Sequence, residues 1–440
     1  MSDRLAHFRK IVFLLTFDAL DLRPALLRAI RDIGFTEPTP VQAQAIPPAL
    51  AGRDILASAE TGSGKSAAFG IPLINALADL PRGTTRALIL APTRELAMQI
   101  AEHLSALAKH TNVRVAAVFG GVGFGGQVGA FKRGTEIIVA TPGRLLDHLG
   151  QGTASLGTIE YLVLDEADRM LDMGFLPVVR RLIKLIPAAR QTLFFSATIP
   201  PEIAALTREM LRDPVRVELQ AKSAPAEGIT QTVYSVNQLS KSDLLLELLK
   251  DNAIYSAIAF TRTKARANRL AALLERNNVS AERIHGDRSQ AQRTRALADF
   301  KRGKYRVLVA TDIAARGIDI LELGHVVNYD VPMVPEDYIH RIGRTARAKA
   351  TGDAITFVSR EEEGYFAQIE RKLGKRIDRA KTPELPAPSG PPEPPERQRS
   401  RSPVHGQPTA RAAREKAHHP GFARPAGAAK PAAKRTSRPS

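Results

Sequence analysis

Short apolar runs alternate with stretches of helical spacing along most of the chain. Asp54-Ile55-Leu56-Ala57-Ser58, Ala87-Leu88-Ile89-Leu90, Ile137-Ile138-Val139, Leu162-Val163-Leu164 and Thr192-Leu193-Phe194-Phe195 are too short for helices and end in polar loops. Runs of that kind read as strands buried on both faces. Between them apolar residues recur at helical spacing, as in Phe69, Ile71, Leu73, Ile74 and Leu77 after Ser66, and through Arg94 to Lys109; Val113 to Phe119 adds another strand. A second series follows: strand Thr232-Val233-Tyr234, helix Leu244 to Leu249, strand Ala257 to Phe260, helix Ala265 to Leu274, then strands Val307 to Val309, His325 to Val327 and Ala354 to Phe357. Strand and helix in alternation predict an α/β fold, with one parallel sheet per series covered by helices on both faces.

The same pattern sets boundaries. Leu20, Leu22, Leu26, Leu27, Ile30 and Ile33 follow helix-face spacing from Phe17 until Gly34 ends the run. Pro38 and Pro40 then predict an extended arm from Gly34 to Gln42, because each disfavours helix at the residue before it. Asp213 to Gln231 lacks helical periodicity and holds Ser223-Ala224-Pro225-Ala226-Glu227-Gly228, which reads as a linker. After about Lys381 the composition turns to proline, alanine and arginine with Phe422 as the only aromatic, so a disordered tail is expected. The divisions are an N-terminal extension (1–16), a first domain (17–212), a linker (213–231), a second domain (232–380) and the tail (381–440).

Composition narrows the function. The chain has 440 residues and a formal net charge of +18, which favours a polyanionic partner, nucleic acid ahead of an anionic membrane. The tail, with twelve basic against four acidic residues, supplies +8 of that. With no cysteine there are no disulfides and no thiolate metal sites. Ile11 to Leu15 is too short for a signal-peptide core, and glycines and Gln127 break the uncharged run Val115 to Phe131, so a cytoplasmic location without a membrane span is expected.

Two stretches carry chemistry. Thr61-Gly62-Ser63-Gly64-Lys65-Ser66 sits between a strand and a helix, where backbone amides and the helix dipole face an anion; Ala59 replaces the first glycine of the general phosphate-loop pattern. The apolar strand Leu162 to Leu164 releases Asp165-Glu166 at its carboxyl end, where open α/β sheets place ligands. Together they supply amides and Lys65 for phosphates, Ser66 and Asp165 for Mg²⁺, and Glu166 to orient attacking water. Gln42 offers the donor–acceptor pair that complements adenine. No second Gly-Lys-Ser loop follows, so one nucleotide per chain is expected. Arg94 and Arg144 lie in polar loops at strand ends and suit a phosphodiester backbone. In His340-Arg341-Ile342-Gly343-Arg344-Thr345-Ala346-Arg347, arginines three apart would share a helical face, and Arg344 and Arg347 are the candidates for neutralising transition-state charge.

From about Phe17 to about Ser359 this ordered set resembles the DEAD-box RNA helicase family, with details similar to its bacterial RhlE-like branch. The resemblance implies two tandem RecA-like P-loop NTPase domains that close on ATP, Mg²⁺ and single-stranded RNA. It makes Phe17 the adenine-stacking aromatic and Gln42 the adenine reader, with Phe35 and Thr61 to Ser66 around the nucleotide and Asp319 on its ribose. Lys65, Asp165, Glu166, His340, Arg344 and Arg347 form the catalytic set, and Ser196 and Thr198 couple hydrolysis to unwinding. The RNA-facing set is Arg94, Gly121, Thr141, Arg144, Arg262, His285, Gly286, Gln290 and Thr311. Ser66 stands where the family usually has threonine and keeps the hydroxyl. The implied activity is ATP-dependent local unwinding of short RNA duplexes by a monomer, with low sequence specificity. The alternative is an ATP-gated RNA clamp, and ribosome-assembly or RNA-degradation proteins are the candidate partners.

Overall fold

The computed structural model describes residues 16–59, 62–219, 228–251, 254–315, 323–345 and 352–386. Among the described residues fourteen strands form two sheets. The first contains β1 (Ile55–Ser58), β2 (Ala87–Leu90), β3 (Val115–Val118), β4 (Ile137–Ala140), β5 (Tyr161–Leu164), β6 (Gln191–Ser196) and β7 (Val215–Glu218), in the order β3-β4-β2-β5-β6-β1-β7. The second contains β8 (Ile229–Ser235), β9 (Ala257–Thr261), β10 (Ala281–Ile284), β11 (Val307–Thr311), β12 (His325–Asn328), β13 (Gly352–Val358) and β14 (Arg379–Ala380), in the order β10-β11-β9-β12-β13-β8-β14. Every pairing is parallel. Position for position, the two orders are the same, so one topology occurs twice.

The apolar runs form the centres of these sheets because both faces are covered. In the first half, Ile55, Ile89, Val163 and Phe195 pack into one core and Leu88, Leu90, Leu162 and Phe194 into the other, as strand alternation requires. The second half repeats the two layers around Ala259, Val309 and Val327 and around Ile258, Phe260 and Leu308.

Four local expectations are corrected. Helix begins at Pro40, with Thr39 as N-cap and Gln42 as the third residue of a capping box, so Gln42 is on a helical turn rather than an extended arm. Pro40 restricts only the residue before it, and its own fixed φ suits the first helical position. The single helix expected after Phe17 is a short 3₁₀ turn, Phe17–Ala19, and a helix Pro24–Asp32, again with proline at its start. Val215–Glu218 pairs with β1, and β8 begins at Ile229, so the segment between the sheets is shorter than the linker expected over 213–231. The helix Pro335–Ile342 ends before Arg344, so Arg341 and Arg344 do not share a helical face.

Candidate active site and nucleic-acid interface

The phosphate-loop residues are placed by β1 and the helix Lys65–Leu77. Gly64 takes φ +96°, and a Cβ there would stand 2.5 Å from Gln42 Nε2 and 2.8 Å from Thr39 Oγ1. The close approach lets Gln42 Nε2 donate to the Gly64 carbonyl at 3.1 Å, while Gln42 Oε1 accepts from Thr39 N–H. One amide thus ties the helix Pro40–Leu50 to the loop. Phe17 stacks on Phe35 with ring centroids 6.2 Å apart, and both rings border a small cleft of about 290 Å³.

Lys65, Asp165 and Ser196 follow or end β1, β5 and β6, three strands adjacent in the sheet. Lys65 Nζ donates to the Ala59 carbonyl at 3.1 Å and lies 3.9 Å from Asp165 Oδ1. Burial pushes the Asp165 carboxyl up to about 6, against the pull of Lys65. Glu166 adopts φ +51° and pairs with Arg169 at 2.6 Å. Asp168 ties this turn to β6: its N–H donates to Ser196 Oγ, and its Oδ2 accepts from Thr198 N–H and Oγ1 at 2.9 and 3.0 Å. The hydroxyl of Ser66 and the carboxylate of Asp165 form a hard oxygen donor set that fits Mg²⁺, an ion that takes one or two carboxylates with phosphate and water as its other ligands. Among the described residues no group of three or more His, Cys, Asp or Glu gathers as an all-protein metal cage.

The second half closes over this surface. A cleft of about 740 Å³ is lined by Lys65, Ser66, Asp165 and Glu166 from the first half and by Gln290, Arg293 and Arg344 from the second. Glu95 joins the halves, with Oε1 accepting from Gln290 Nε2 at 2.9 Å and lying 3.0 Å from Arg293 NH2. His340 faces Arg169, Asp168 and Glu166, and burial, then Arg169, lowers its pKa. Arg341 is committed to Asp312 through two contacts of 2.6 and 2.8 Å. Thr61, Asp319 and Arg347 lie outside the described residues.

The RNA-facing candidates divide into two groups. Arg94 packs across Gly121, whose φ is +84° and whose Cβ would stand 1.9 Å from Arg94 NH1. Arg144 donates to the Val122 carbonyl and lies 4.2 Å over the Phe124 ring, while Thr141 directly follows β4 at the N-cap position of the helix Pro142–Gly150. These four share the carboxyl ends of β2, β3 and β4. In the second half Arg262 follows β9, His285 and Gly286 follow β10, and Thr311 ends β11. Gly286 is exposed, but the His285 ring is 2% exposed and bonded to Asn268. Gln290 donates to Glu95 in the cleft.

Sequence reasoning missed Glu95, Arg293 and Lys241. Gln290 and Arg293 are one helical turn apart, which was the available signal for the first pair. Lys241 is fully buried; it pairs with Glu362 and lies 3.6 Å from Asp330. Asp330 follows β12, the topological equivalent of β5, so Lys241 and Asp330 correspond in place to Lys65 and Asp165. An internal ion cluster thus fills, in the second half, the position that faces the cleft in the first. The cluster also holds Arg262, whose backbone N–H donates to Asp330 and whose guanidinium donates to Glu362 at 2.9 Å.

The family model for DEAD/DEAH box helicases matches residues 39–206, and the helicase conserved C-terminal domain matches residues 240–349. The DEAD-box ATP-dependent RNA helicase CshA of Geobacillus kaustophilus is 44% identical over 370 residues, covering 84% of this chain and 79% of that protein. The chain belongs to the DEAD-box ATP-dependent RNA helicases. The ATP-dependent RNA helicase CshA of Listeria monocytogenes is likewise 44% identical, over 83% of this DEAD-box chain and 70% of that one. Among solved structures, S. cerevisiae Dbp5 bound to RNA and ADP BeF3 superposes with a TM-score of 0.76 at 32% identity, over 83% of this chain and 95% of that one. Mss116p bound to ssRNA and AMP-PNP gives 0.76 at 29% identity, over 83% and 79%. Both support two RecA-like halves and an ATP-dependent, RNA-binding helicase.

Proposed function

We propose that ATP binds with Mg²⁺ in the cleft between the halves and that hydrolysis there opens short RNA duplexes locally. The observation that carries this reading is the cleft that brings Lys65, Ser66, Asp165 and Glu166 together with Arg344. In it Lys65 and the loop amides hold phosphates, Ser66 and Asp165 hold the metal, and Glu166, oriented by Arg169, aligns the attacking water. Held by Ser66 and Asp165, Mg²⁺ would supply charge neutralisation for the phosphates. Arg344 stabilises charge on the transferred group, with His340 beside it. Gln42 and Phe17 receive the base. Ser196 and Thr198, both bonded to Asp168, pass a change at the acidic turn to β6. Arg94, Gly121, Thr141, Arg144, Arg262, Gly286 and Thr311 hold an RNA backbone across the strand ends, which positions RNA without reading its sequence. His285 acts by shaping that loop, and Gln290 by holding the halves together.

Thr61, Asp319 and Arg347 complete the nucleotide site in this reading, and the segments 1–16 and 381–440 serve as extension and basic tail around the two domains. The protein acts as a cytoplasmic monomer within the RhlE-like branch, alongside ribosome-assembly or RNA-degradation proteins. Among the described residues no helix is long and apolar enough to cross a membrane. A second reading, an ATP-gated clamp with little unwinding, draws on the buried Glu95–Arg293 contact; duplex unwinding by Glu166→Gln separates the two. The principal test is steady-state ATPase without nucleic acid, with single-stranded RNA and with DNA of the same sequence. Stimulation by RNA alone is expected, and equal stimulation by DNA overturns the RNA reading.

A further inference from the structure

Away from the cleft, a cavity of about 320 Å³ opens on the first half beside the helices Leu176–Ile183 and Pro201–Met210. It lies near Gln191 and Arg212, where β6 begins and the chain approaches β7. Lys65 and Asp165 follow the opposite, carboxyl ends of their strands. At about 3.3 Å per residue, the six residues of β6 separate the two levels by roughly 20 Å. This cavity is therefore a site distinct from the nucleotide cleft.

Its charges are unbalanced. Lys184, Arg190 and Arg212 line it with a single carboxylate, Glu209, whose two oxygens accept from Arg180 at 3.1 and 3.2 Å. Asp54 is also committed, accepting the backbone N–H groups of Thr192 and Arg212 at 2.7 Å each. Arg190 is fixed by donating Nε to Thr192 Oγ1 and NH1 to the Pro187 carbonyl. Burial, then the nearby Arg212, lower its pKa, and the Asp54 carboxylate offsets them only in part, so the two guanidinium groups repel one another across the lining. A bound anion relieves that repulsion. The apolar part of the lining, Ile183, Ile186, Met210 and Leu211, suits the sugar and base that accompany a phosphate.

A path also leads there from the strand-end surface. Arg144 lies in the helix Pro142–Gly150, which packs on the helix Leu176–Ile183; Arg181 on that helix and Lys184 at its end are exposed. We propose that this cavity receives a backbone phosphate of RNA flanking the strand in the cleft, giving the helicase a second, sequence-independent grip on its substrate. The inference rests on the RNA reading of the cleft. Its recognition is a phosphate between Arg190 and Arg212 with Lys184 at the rim, a contact that adds affinity and salt dependence but no base preference.

The test uses the full chain and the double variant Lys184→Glu/Arg212→Glu, both exposed positions outside the cleft. Binding is followed by fluorescence anisotropy across a KCl series, with ADP–beryllium fluoride present. The probes are a 10-nucleotide single strand and a duplex carrying that strand as an overhang. The 10-mer should bind both proteins equally, whereas the duplex substrate should lose about 10- to 100-fold and its salt slope should fall by about 1, the loss of one phosphate contact. A control, Arg28→Glu/Lys375→Glu, carries the same charge change elsewhere and should leave the duplex slope unchanged. Unchanged duplex binding in the test variant overturns the proposal, as does an equal loss on both probes or an equal effect of the control. AMP binding to the wild-type chain with its cleft filled, and not to the variant, would assign the cavity to a free nucleotide and also overturn it. If the wild-type chain fails to bind the 10-mer, the RNA reading of the cleft has failed instead.

Discussion

Replacing Glu95 with glutamine should shift the balance between closed and separated halves by about two orders of magnitude. Glu95 and Arg293 are 9% and 11% exposed in their side chains and 3.0 Å apart, and Gln290 donates to the same carboxylate oxygen at 2.9 Å. Burial already lowers the pKa of Arg293, and Glu95 is the group that opposes this. Removing one partner of a buried pair leaves an uncompensated charge and costs about 3–5 kcal/mol. When the halves separate, both groups are hydrated, so the cost falls on the closed arrangement alone. A loss of about 3 kcal/mol corresponds to roughly 10²-fold. The assay is energy transfer between dyes on the two halves, titrated with RNA at saturating ATP analogue, with the RNA concentration for half-maximal ATPase measured in parallel. Both midpoints should rise about 10²-fold, while nucleotide affinity without RNA stays within twofold. The swap Glu95→Arg/Arg293→Glu should recover much of the loss. Unchanged closure in Glu95→Gln would refute the idea that this contact holds the halves.

Lys241→Met should lower the melting temperature by roughly 6–12 °C, from a loss of about 3 kcal/mol at a buried pair, and raise the half-saturating RNA concentration through Arg262 with little change in maximal turnover. Gly64→Ala should abolish nucleotide binding, measured by fluorescent-ATP titration, because the position needs φ +96° and the new Cβ meets Gln42 and Thr39. Asp165 has a folded pKa of about 6, above its unfolded value near 3.8, so its contribution to stability is present at low pH and lost as pH rises through 6. The nucleotide-free chain should therefore lose part of this pH dependence in Asp165→Asn, read by thermal melts between pH 5 and 7.5, while Mg²⁺-ATP affinity should weaken below pH 6. Glu136 behaves oppositely. Burial raises its pKa, but the guanidinium and N–H of Arg114 and the N–H of Gly83 outweigh that and bring it to about 2. Its stabilisation, present above about 4.5, is lost as pH falls toward 2, and Glu136→Gln should flatten acid unfolding over that range.

Much of the fold was legible because its signals are local. An apolar run such as Ile137 to Val139 is buried on both faces whatever its neighbours are, and the alternation with helices implies parallel pairing. The chemistry around Lys65 and Asp165 was legible for the same reason: a glycine-rich turn before a helix and acids after a strand carry their geometry with them. Errors arose where one residue has two local meanings. Pro40 predicts an extended arm and instead begins a helix, and the spacing of Arg341 and Arg344 suggests a helical face that Gly343 interrupts.

What the sequence by itself determined was therefore the two α/β series, the nucleotide loop and the acidic strand end, since these depend on spacing over a few residues. Only the tertiary structure decided that the two series share one strand order, that β7 completes the first sheet, and that Lys241 with Asp330 occupies the place corresponding to Lys65 with Asp165. It also decided that Gln290 turns toward Glu95 and that Lys184, Arg190 and Arg212 meet around one cavity. These residues are separated by anything from 6 to 195 positions, and a charged side chain carries no mark in the sequence of the partner it will meet. Its role is fixed only when packing brings that partner near and removes the water that would otherwise screen them.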